Sequence, residues 1–217
     1  GNSGAHRLNG GDGVDILFGN AGNDVLNGGS GIDDMRGGAG NDRYIVDRTG
    51  DVIREGSNQG TDLVKSSANY ILRDSDIENL TLTGSEDING TGNTSANTIR
   101  GNSGANRLNG DAGRDILFGG EGNDKLFGEA GNDVLTGGLG NDQLTGGAGR
   151  DKFCISTGIG KDIIKDYGTG NDRIQLLGGL TESDLTIKQV GDNVKIKYEG
   201  DLMAIVQDTI AADLTFI

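Results

Sequence analysis

Aspartate and glycine recur in fixed slots every nine residues in two parts of this sequence. Residues 110–118 read GDAGRDILF and residues 119–127 read GGEGNDKLF, so glycine stands at positions 1 and 4 and aspartate at position 6. Aspartate supplies carboxylate oxygens, and glycine permits positive φ angles that let backbone carbonyl oxygens converge. Carboxylate and carbonyl oxygens are the ligands that Ca²⁺ prefers, at about six to eight per ion. The spacing therefore predicts calcium binding.

Residues for nucleophilic or acid–base catalysis do not form a recognisable set. The single histidine, His6, occupies the aspartate slot of the first unit, and a nitrogen ligand suits calcium poorly. We interpret His6 as a substitution at the end of the repeat array. A pair of carboxylates of the glycosidase type is another use for acidic clusters, but metal binding explains each cluster better. We therefore expect no catalytic residues in this chain, although an upstream catalytic domain is compatible with the sequence.

The composition favours a long strand ladder over a conventional core. Of 217 residues, 42 are glycine, none is proline and none is tryptophan. Proline cannot donate a ladder hydrogen bond, so its absence suits a continuous ladder. The net charge of −14 argues against nucleic acid as a partner. No run of 18 apolar residues exists, so we expect no transmembrane segment.

Each nine-residue unit offers one large apolar residue for a core. These are Leu8, Leu17, Leu26, Met35, Tyr44, Ile99, Leu108, Leu117, Leu126, Leu135, Leu144 and Phe153. One buried side chain cannot offset the backbone entropy lost when nine residues become ordered. We therefore expect a calcium-free chain that is expanded and a chain that folds when it binds calcium.

The repeats divide the chain into four segments. Residues 1–45 are a first repeat block, 46–91 an irregular β spacer of the same solenoid, 92–154 a second block, and 155–217 a C-terminal β cap. Residues 1–42 resemble residues 101–142, which indicates an internal duplication. The chain starts in repeat phase without methionine or a secretory signal, which predicts a piece of a longer protein.

The frame G-G-x-G-x-D-x-U-x, in which U is a large apolar residue, resembles the calcium-binding nonapeptide repeat of RTX (repeats-in-toxin), haemolysin-type proteins. The resemblance covers both blocks. It implies an all-β fold, a parallel β-roll in which each unit forms a six-residue loop and a three-residue strand. Two units complete a coil, and about five to eight Ca²⁺ ions lie between the loops of successive coils.

The resemblance also implies which residues ligate the ions. Loops on one side stack every 18 residues, so the aspartate pairs are Asp15 with Asp33, Asp24 with Asp42, Asp115 with Asp133, Asp124 with Asp142, and Asp133 with Asp151. Carbonyl ligands are implied at Gly10, Gly19, Gly28, Gly110, Gly119, Gly128 and Gly137. Asn106 pairs with Asp124 and predicts a weaker site, because an amide oxygen is neutral.

A related pattern follows each block. Asp162 and Asp166 in KDIIKDYG match Asp51 and Glu55 in GDVIREG, and Asp172 matches Asp62. The resemblance implies turns that close the roll and hold a last ion. The alternative is a solvated strand with alternating charges.

The final residues, DLTFI, also have two interpretations. They resemble the C-terminal signal of proteins exported by type I secretion machinery. Alternatively, Leu214, Phe216 and Ile217 pin the chain end to the cap. The single cysteine, Cys154, cannot form an intrachain disulfide, and its register predicts that it faces outward.

Two functions remain from the sequence. The first is a calcium-binding RTX module of a secreted protein, extracellular or on the bacterial cell surface, which folds after type I export. The second is a carbohydrate-binding or adhesin module for acidic polysaccharide. It requires a basic stripe, for which the outward positions offer Arg7 and Arg43 on one sheet and Arg107 and Lys125 on the matching sheet of the second block.

An outward apolar patch is also predicted in the second block. It consists of Ile116, Phe118 and Val134, with Phe127 on the other sheet. Because a bare patch of this kind is unusual, we expect the residues after 154 or another chain to cover it.

Overall fold

The structure is a computed structural model that describes residues 4–56, 59–157, 160–168 and 170–217. These residues are almost entirely β, which confirms the predicted fold class. The described residues include two short 3-10 helices, Glu182–Asp184 and Ala211–Asp213. No helix in these ranges is long and apolar enough to cross a membrane.

Short strands follow one another along the whole chain. The first ten are β1 (Arg7–Asp12), β2 (Ile16–Ala21), β3 (Val25–Ser30), β4 (Asp34–Ala39), β5 (Arg43–Val46), β6 (Val52–Ile53), β7 (Leu63–Ser66), β8 (Tyr70–Ile71), β9 (Asn79–Leu82) and β10 (Gly90–Thr91). The next nine are β11 (Thr98–Arg100), β12 (Arg107–Asn109), β13 (Ile116–Glu121), β14 (Lys125–Ala130), β15 (Val134–Leu139), β16 (Gln143–Ala148), β17 (Lys152–Ile155), β18 (Asp162–Ile164) and β19 (Arg173–Leu176). The last three are β20 (Leu185–Val190), β21 (Asn193–Tyr198) and β22 (Asp201–Val206).

Consecutive strands alternate between two walls of a parallel solenoid. The odd strands β1 to β19 form one ten-stranded sheet. The even strands form a three-stranded sheet, β2-β4-β6, and most of a nine-stranded sheet that starts at β8. Within the blocks each strand pairs in parallel with the strand 18 residues away, as Leu117 does with Leu135. The parallel β-roll and its two-unit coil are therefore confirmed.

The strands in the repeats are longer than predicted. β13 and β14 each span six residues, so the connecting loops are shorter than the six residues expected. The reason is that the position-2 residue stays in the ladder at positive φ: Gly120 adopts φ +114° and pairs with Gly138, and Glu129 adopts φ +72° and pairs with Gly147. Glycine adopts positive φ most easily, which accounts for its frequent use at this position.

The interior is a single column of apolar side chains. The predicted core residues from Leu26 to Phe153 are fully buried, with 0% exposure. Leu8 and Leu17 are only partly buried, because they lie in the first coil of the described roll. The spacer residues Val64 and Leu80 continue the column between the blocks.

The two copies of the duplicated block lie on opposite walls. Arg7 is in β1 of the ten-stranded sheet, whereas its counterpart Arg107 is in β12 of the nine-stranded sheet. The prediction that the basic residues share matching sheets is therefore wrong. Seven described strands, β5 to β11, lie between residues 1–42 and their copy at residues 101–142, and this odd number places the copies on opposite walls.

Arginines stack on the outward phenylalanines of the second block. The Arg100 guanidinium lies 4.2 Å from the ring centre of Phe118, and Arg107 lies 3.8 Å from that of Phe127. Both rings are half-buried. Such stacking is favourable and was not predicted from the sequence; cover of the patch by the residues after 154 or by another chain stays a prediction.

Cys154 is buried, with 4% exposure, so the prediction that it faces outward into solvent is wrong. It lies on β17 between Thr136 of β15 and Gln175 of β19. A thiol is small, so longer neighbours cover it. Burial raises its pKa.

The C-terminal part closes one end of the roll. β22 pairs in parallel with β18, and β21 and β20 follow as antiparallel strands. The last residues lie beside β19, where Phe216 forms a bridge with Ile174. The chain end is thus held on the ten-stranded sheet.

Candidate metal centre

Aspartates of successive coils form hydrogen-bonded ladders along the loops. In each ladder, the Oδ1 of one aspartate accepts a hydrogen bond from the backbone N–H of the ladder residue one coil earlier. The Asp115 N–H donates to Asp133 Oδ1 at 2.8 Å, and the Asp124 N–H donates to Asp142 Oδ1 at 2.8 Å. The pairs Asp15–Asp33, Asp24–Asp42 and Asp133–Asp151 have the same bond, at 2.9, 2.7 and 2.8 Å. The structure therefore brings together all five predicted pairs.

In ten of the ladder aspartates the second carboxylate oxygen is buried and has no hydrogen-bond partner. This holds for Oδ2 of Asp15, Asp24, Asp33, Asp42, Asp115, Asp124, Asp133, Asp142, Asp151 and Asp162. A buried charged oxygen without a partner is strongly unfavourable. A row of such oxygens therefore requires a neutralising partner.

The position-1 glycines lie directly against these oxygens. A Cβ at Gly119 would collide with Asp124 Oδ2 and with the carbonyl oxygen of Gly137, one coil later. The Gly110 position is bounded in the same way by Asp115 Oδ2 and the Gly128 carbonyl. The free carboxylate oxygens and glycine carbonyls thus converge, and an all-oxygen donor set fits Ca²⁺.

The other position-1 glycines predicted to offer carbonyl ligands lie in equivalent positions. Each of them packs against the Oδ2 atom of the aspartate in its own unit; they are Gly10, Gly19, Gly28 and Gly137. Their coordination of an ion stays a prediction, and so does that of the aspartates.

Burial raises the pKa of three ladder carboxylates of the second block. The pKa of Asp115 rises to about 7, mainly because the group is desolvated, although the hydrogen bond from the Asn97 N–H lowers it and the charge of Asp133 raises it. The pKa of Asp124 rises to about 7, again mainly because of burial. For Asp151, burial raises the pKa to about 6. In the folded chain these three carboxyls therefore titrate much closer to neutral pH than an exposed aspartate does.

The turn after the second block continues the ladder. Asp162 is buried, its Oδ1 accepts from the Asp142 N–H at 3.2 Å, and its Oδ2 has no partner. Asp166 accepts from the backbone N–H groups of Gly146 and Gly147, at 2.9 and 2.6 Å. The alternative of a solvated strand is therefore wrong. Ion binding by Asp162 and Asp166 stays a prediction.

Asparagine replaces aspartate at two ladder positions, Asn97 and Asn106. The Asn106 Nδ2 donates to the Ile88 carbonyl at 2.7 Å, and its Oδ1 accepts from the Asn102 N–H at 2.8 Å. Asn97 Nδ2 likewise donates to the Ile77 carbonyl at 3.1 Å. Both amides thus bond to backbone carbonyls, and the weaker ion site at Asn106 stays a prediction.

His6 lies at the first end of a ladder. Its backbone N–H donates to Asp24 Oδ1 at 2.6 Å, and its ring Nδ1 lies 2.9 Å from the same oxygen. The hydrogen bond from the His6 backbone N–H is the same as the one that a ladder aspartate donates to the next coil, as Asp24 does to Asp42. The contacts agree with a substitution at the end of the array.

The ladders also contain acidic residues that were not among the predicted ligands. Asp51, Asp62 and Asp172 extend the ladders, accepting from the N–H groups of Asp33, Asp42 and Asp151 at 3.1, 2.7 and 2.8 Å, and Glu78 accepts from the Asp62 N–H at 2.8 Å. Beside them, Glu55 has a pKa raised to about 8, first by burial and then by the charge of Asp62. The sequence signal that could have identified such residues is the related pattern after each block, GDVIREG after the first and KDIIKDYG after the second.

Comparison with known proteins agrees with the repeat frame. Four copies of the family described as RTX calcium-binding nonapeptide repeat match residues 1–35, 9–44, 91–126 and 118–153. Among solved structures, the chain is similar to the extracellular lipase LipA from Serratia marcescens, at 16% identity and a TM-score of 0.39. That match covers 100% of this chain and 39% of the lipase chain, so this chain spans less than half of the lipase's length. No curated protein matches. With the repeat frame present in both blocks and matched four times, the chain belongs to the RTX calcium-binding nonapeptide repeat family.

Proposed function

We propose that this chain is a calcium-triggered folding module of a secreted protein. Ca²⁺ binds between loops of successive coils, held by the aspartates of the ladders and by the position-1 glycine carbonyls. The observation that carries this proposal is the row of buried Oδ2 atoms without partners beside glycine carbonyls. No other chemical use of such a row accounts for both the carboxylates and the carbonyls.

Ion binding and folding are coupled in this proposal because the loops make the site only when coils stack. In the folded chain the ladder aspartates from Asp24 to Asp162 are at most 2% exposed, Asp15 in the first coil is only partly buried, and the stacked charges repel at short range. In the unfolded chain they are solvated and far apart. An ion that binds only the folded state stabilises it by RT ln(1 + [Ca²⁺]/Kd). Several such ions act together.

This coupling provides a reason for the export route. Low calcium inside the cell keeps the chain expanded and suited to the type I secretion machinery, and the higher calcium outside folds it. We place the folded module outside the cell, free or on the bacterial surface, and propose the division at residues 1–45, 46–91, 92–154 and 155–217. The last residues serve as the export signal before folding and pair with β19 afterwards. The Phe216–Ile174 bridge supports only the second of these roles.

A calcium titration of the purified chain tests the proposal. Circular dichroism should show a cooperative gain of strand signal, and calorimetry should show several ions bound over the same calcium range. The matched comparison is Mg²⁺, which prefers a small octahedral site and should not fold the chain at equal concentration. Ion binding without any change in strand content would contradict the proposal.

A further inference from the structure

A cleft of about 400 Å³ lies at the end of the second block, where β15, β17 and β19 begin. Four basic residues line it, and they are called the basic cluster below: Arg114, Arg150, Lys152 and Arg173. The two aspartates of the lining, Asp133 and Asp151, are ladder residues with 1% and 2% exposure. The charged side chains that solvent reaches in the cleft are therefore all positive.

The basic cluster has no partner within the described part of the chain. None of its side chains forms an ion pair or donates a hydrogen bond there. Lys152 lies directly opposite Arg173 on the neighbouring strand, and like charges in this arrangement destabilise a sheet. The chain has 33 acidic residues against 19 basic ones, so acidic partners are abundant elsewhere. An unpaired basic cluster in such a chain indicates an anion that comes from outside it.

The first block shows that the repeat fold does not require these charges. Hydrogen bonds define two corresponding ladders, His6–Asp24–Asp42–Asp62 in the first block and Asp115–Asp133–Asp151–Asp172 in the second. In the order of the basic cluster, the residues at the matching positions of the first block are Ala5, Asn41, Arg43 and Leu63. Only Lys152 thus has a basic counterpart. The same ladder forms beside uncharged residues, which indicates that the basic cluster has a role other than folding.

The basic cluster is compact and does not continue along the sheet. In the outward row of the ten-stranded sheet that contains Lys152, the preceding residues are Val134, Ile116 and Thr98. All three are uncharged, so the row offers no series of cations to a long acidic polymer. The volume of the cleft lies within the usual range of small-molecule sites, about 300–1,000 Å³. These features favour one small group with several negative charges.

We propose that the basic cluster binds a phosphomonoester group. Such a group carries a charge of about −1.5 to −2 at neutral pH and has three strong acceptor oxygens. The guanidinium groups of the three arginines match phosphate oxygens with paired hydrogen bonds, and Lys152 adds a further positive charge. A single carboxylate neutralises less of the cluster. The phosphate belongs either to a small soluble ester or to a lipid headgroup, which offer the same chemistry.

Isothermal calorimetry with glycerol phosphate tests the site on the full, folded chain. The variants are Arg150→Gln and Arg173→Gln, and the control is Arg48→Gln, which makes the same change of charge at an exposed position before β6. Circular dichroism checks that each variant has the strand content of the unchanged chain. The site needs only the folded roll, so it goes beyond the proposed function. The dependence of strand content on calcium decides that function, and phosphate binding decides the site.

Arg150→Gln and Arg173→Gln should each weaken glycerol phosphate binding by at least about tenfold, because each removes charge-assisted hydrogen bonds. Arg48→Gln should bind like the unchanged chain. Glucuronate, which has one carboxylate, should bind at least about tenfold more weakly than glycerol phosphate. Equal binding of glucuronate, or equal binding of glycerol phosphate by the two cluster variants and the control, would refute the site.

Vesicles distinguish the two sources of the phosphate. Phosphatidylcholine vesicles with and without phosphatidic acid are sedimented with the chain. Binding that requires phosphatidic acid and is lost in Arg150→Gln assigns the site to a lipid headgroup. Binding of glycerol phosphate without binding to these vesicles assigns it to soluble esters. A folded chain that binds neither probe has no phosphate site.

Discussion

Replacing Asp124 by asparagine should stabilise the metal-free roll. In the metal-free fold the pKa of Asp124 is about 7, against an ordinary value of 3.8, a difference of about 3 units or about 4 kcal/mol. When the pKa of a carboxyl is higher in the folded chain than in the unfolded chain, the folded state is destabilised as the pH rises from the unfolded value to the folded value. At about pH 8, above both values, this destabilisation by Asp124 is complete. Asparagine removes the charge and keeps Oδ1 as acceptor for the Asn106 N–H, which lies at 2.7 Å in the unchanged chain. Its new amide hydrogens need an acceptor, so we expect a net gain of about 1–3 kcal/mol.

The assay is an osmolyte titration in excess chelator at about pH 8, followed by circular dichroism, because excluded osmolytes favour compact states. Asp124→Asn should fold at lower osmolyte concentration than the unchanged chain, and in calcium it should bind fewer ions. Asp201→Asn, at an exposed position in β22, makes the same change of charge away from the ladders. If Asp124→Asn needs as much osmolyte as Asp201→Asn, repulsion within the ladder is not what opposes folding.

Three other perturbations should have distinct results. Leu126→Ala leaves a cavity at a fully buried core position and should destabilise the folded chain by about 2–5 kcal/mol. Circular dichroism should then show folding at a higher calcium concentration, and an unchanged midpoint of the calcium titration would contradict the coupling of folding to ion binding. Asn106→Asp replaces the amide that donates to the Ile88 carbonyl with a charged carboxylate, so the metal-free chain should be less folded. Calorimetry should find more bound calcium than in the unchanged chain, and an equal number of ions would refute this prediction. In chelator, acidification from about pH 8 to about pH 5 should increase strand signal, because Asp115 and Asp162, each with a pKa of about 7, become protonated; in calcium the same change should release ions, and an ion count independent of pH would be inconsistent with carboxylate ligands.

The repeat frame predicted much of the fold because every unit has the same arrangement of glycine, aspartate and one large apolar residue. One apolar residue per unit can only point into a shared interior, and Leu108 and Leu126 do so with 0% exposure. The aspartate pairs followed from the 18-residue coil, and the structure stacks them. The regular part of the chain is thus specified by short-range pattern.

What the sequence could not predict depends on the irregular spacer and on neighbours across coils. Ladder spacings there are 20 residues from Asp42 to Asp62 and 16 from Asp62 to Glu78, so no fixed period reveals how many strands lie between the two copies of the duplicated segment. The exchange of walls between Arg7 and Arg107 follows from that number. The burial of Cys154 depends on which side chains adjacent strands place beside it.

The bonds within the ladders were also beyond the sequence. Position in the frame indicates that an aspartate faces the loops, but not that Oδ1 accepts an N–H while Oδ2 stays free. That division depends on backbone geometry, and it is the observation on which the proposed cation sites rest.

Small-angle scattering of the full chain, in excess chelator and in saturating calcium at neutral pH, tests the central claim most directly. The claim is that unneutralised ladder carboxylates prevent the coils from stacking. We expect the radius of gyration to fall from that of an expanded chain to that of an elongated compact solenoid when calcium is added. The same compact profile in chelator as in calcium would contradict the account.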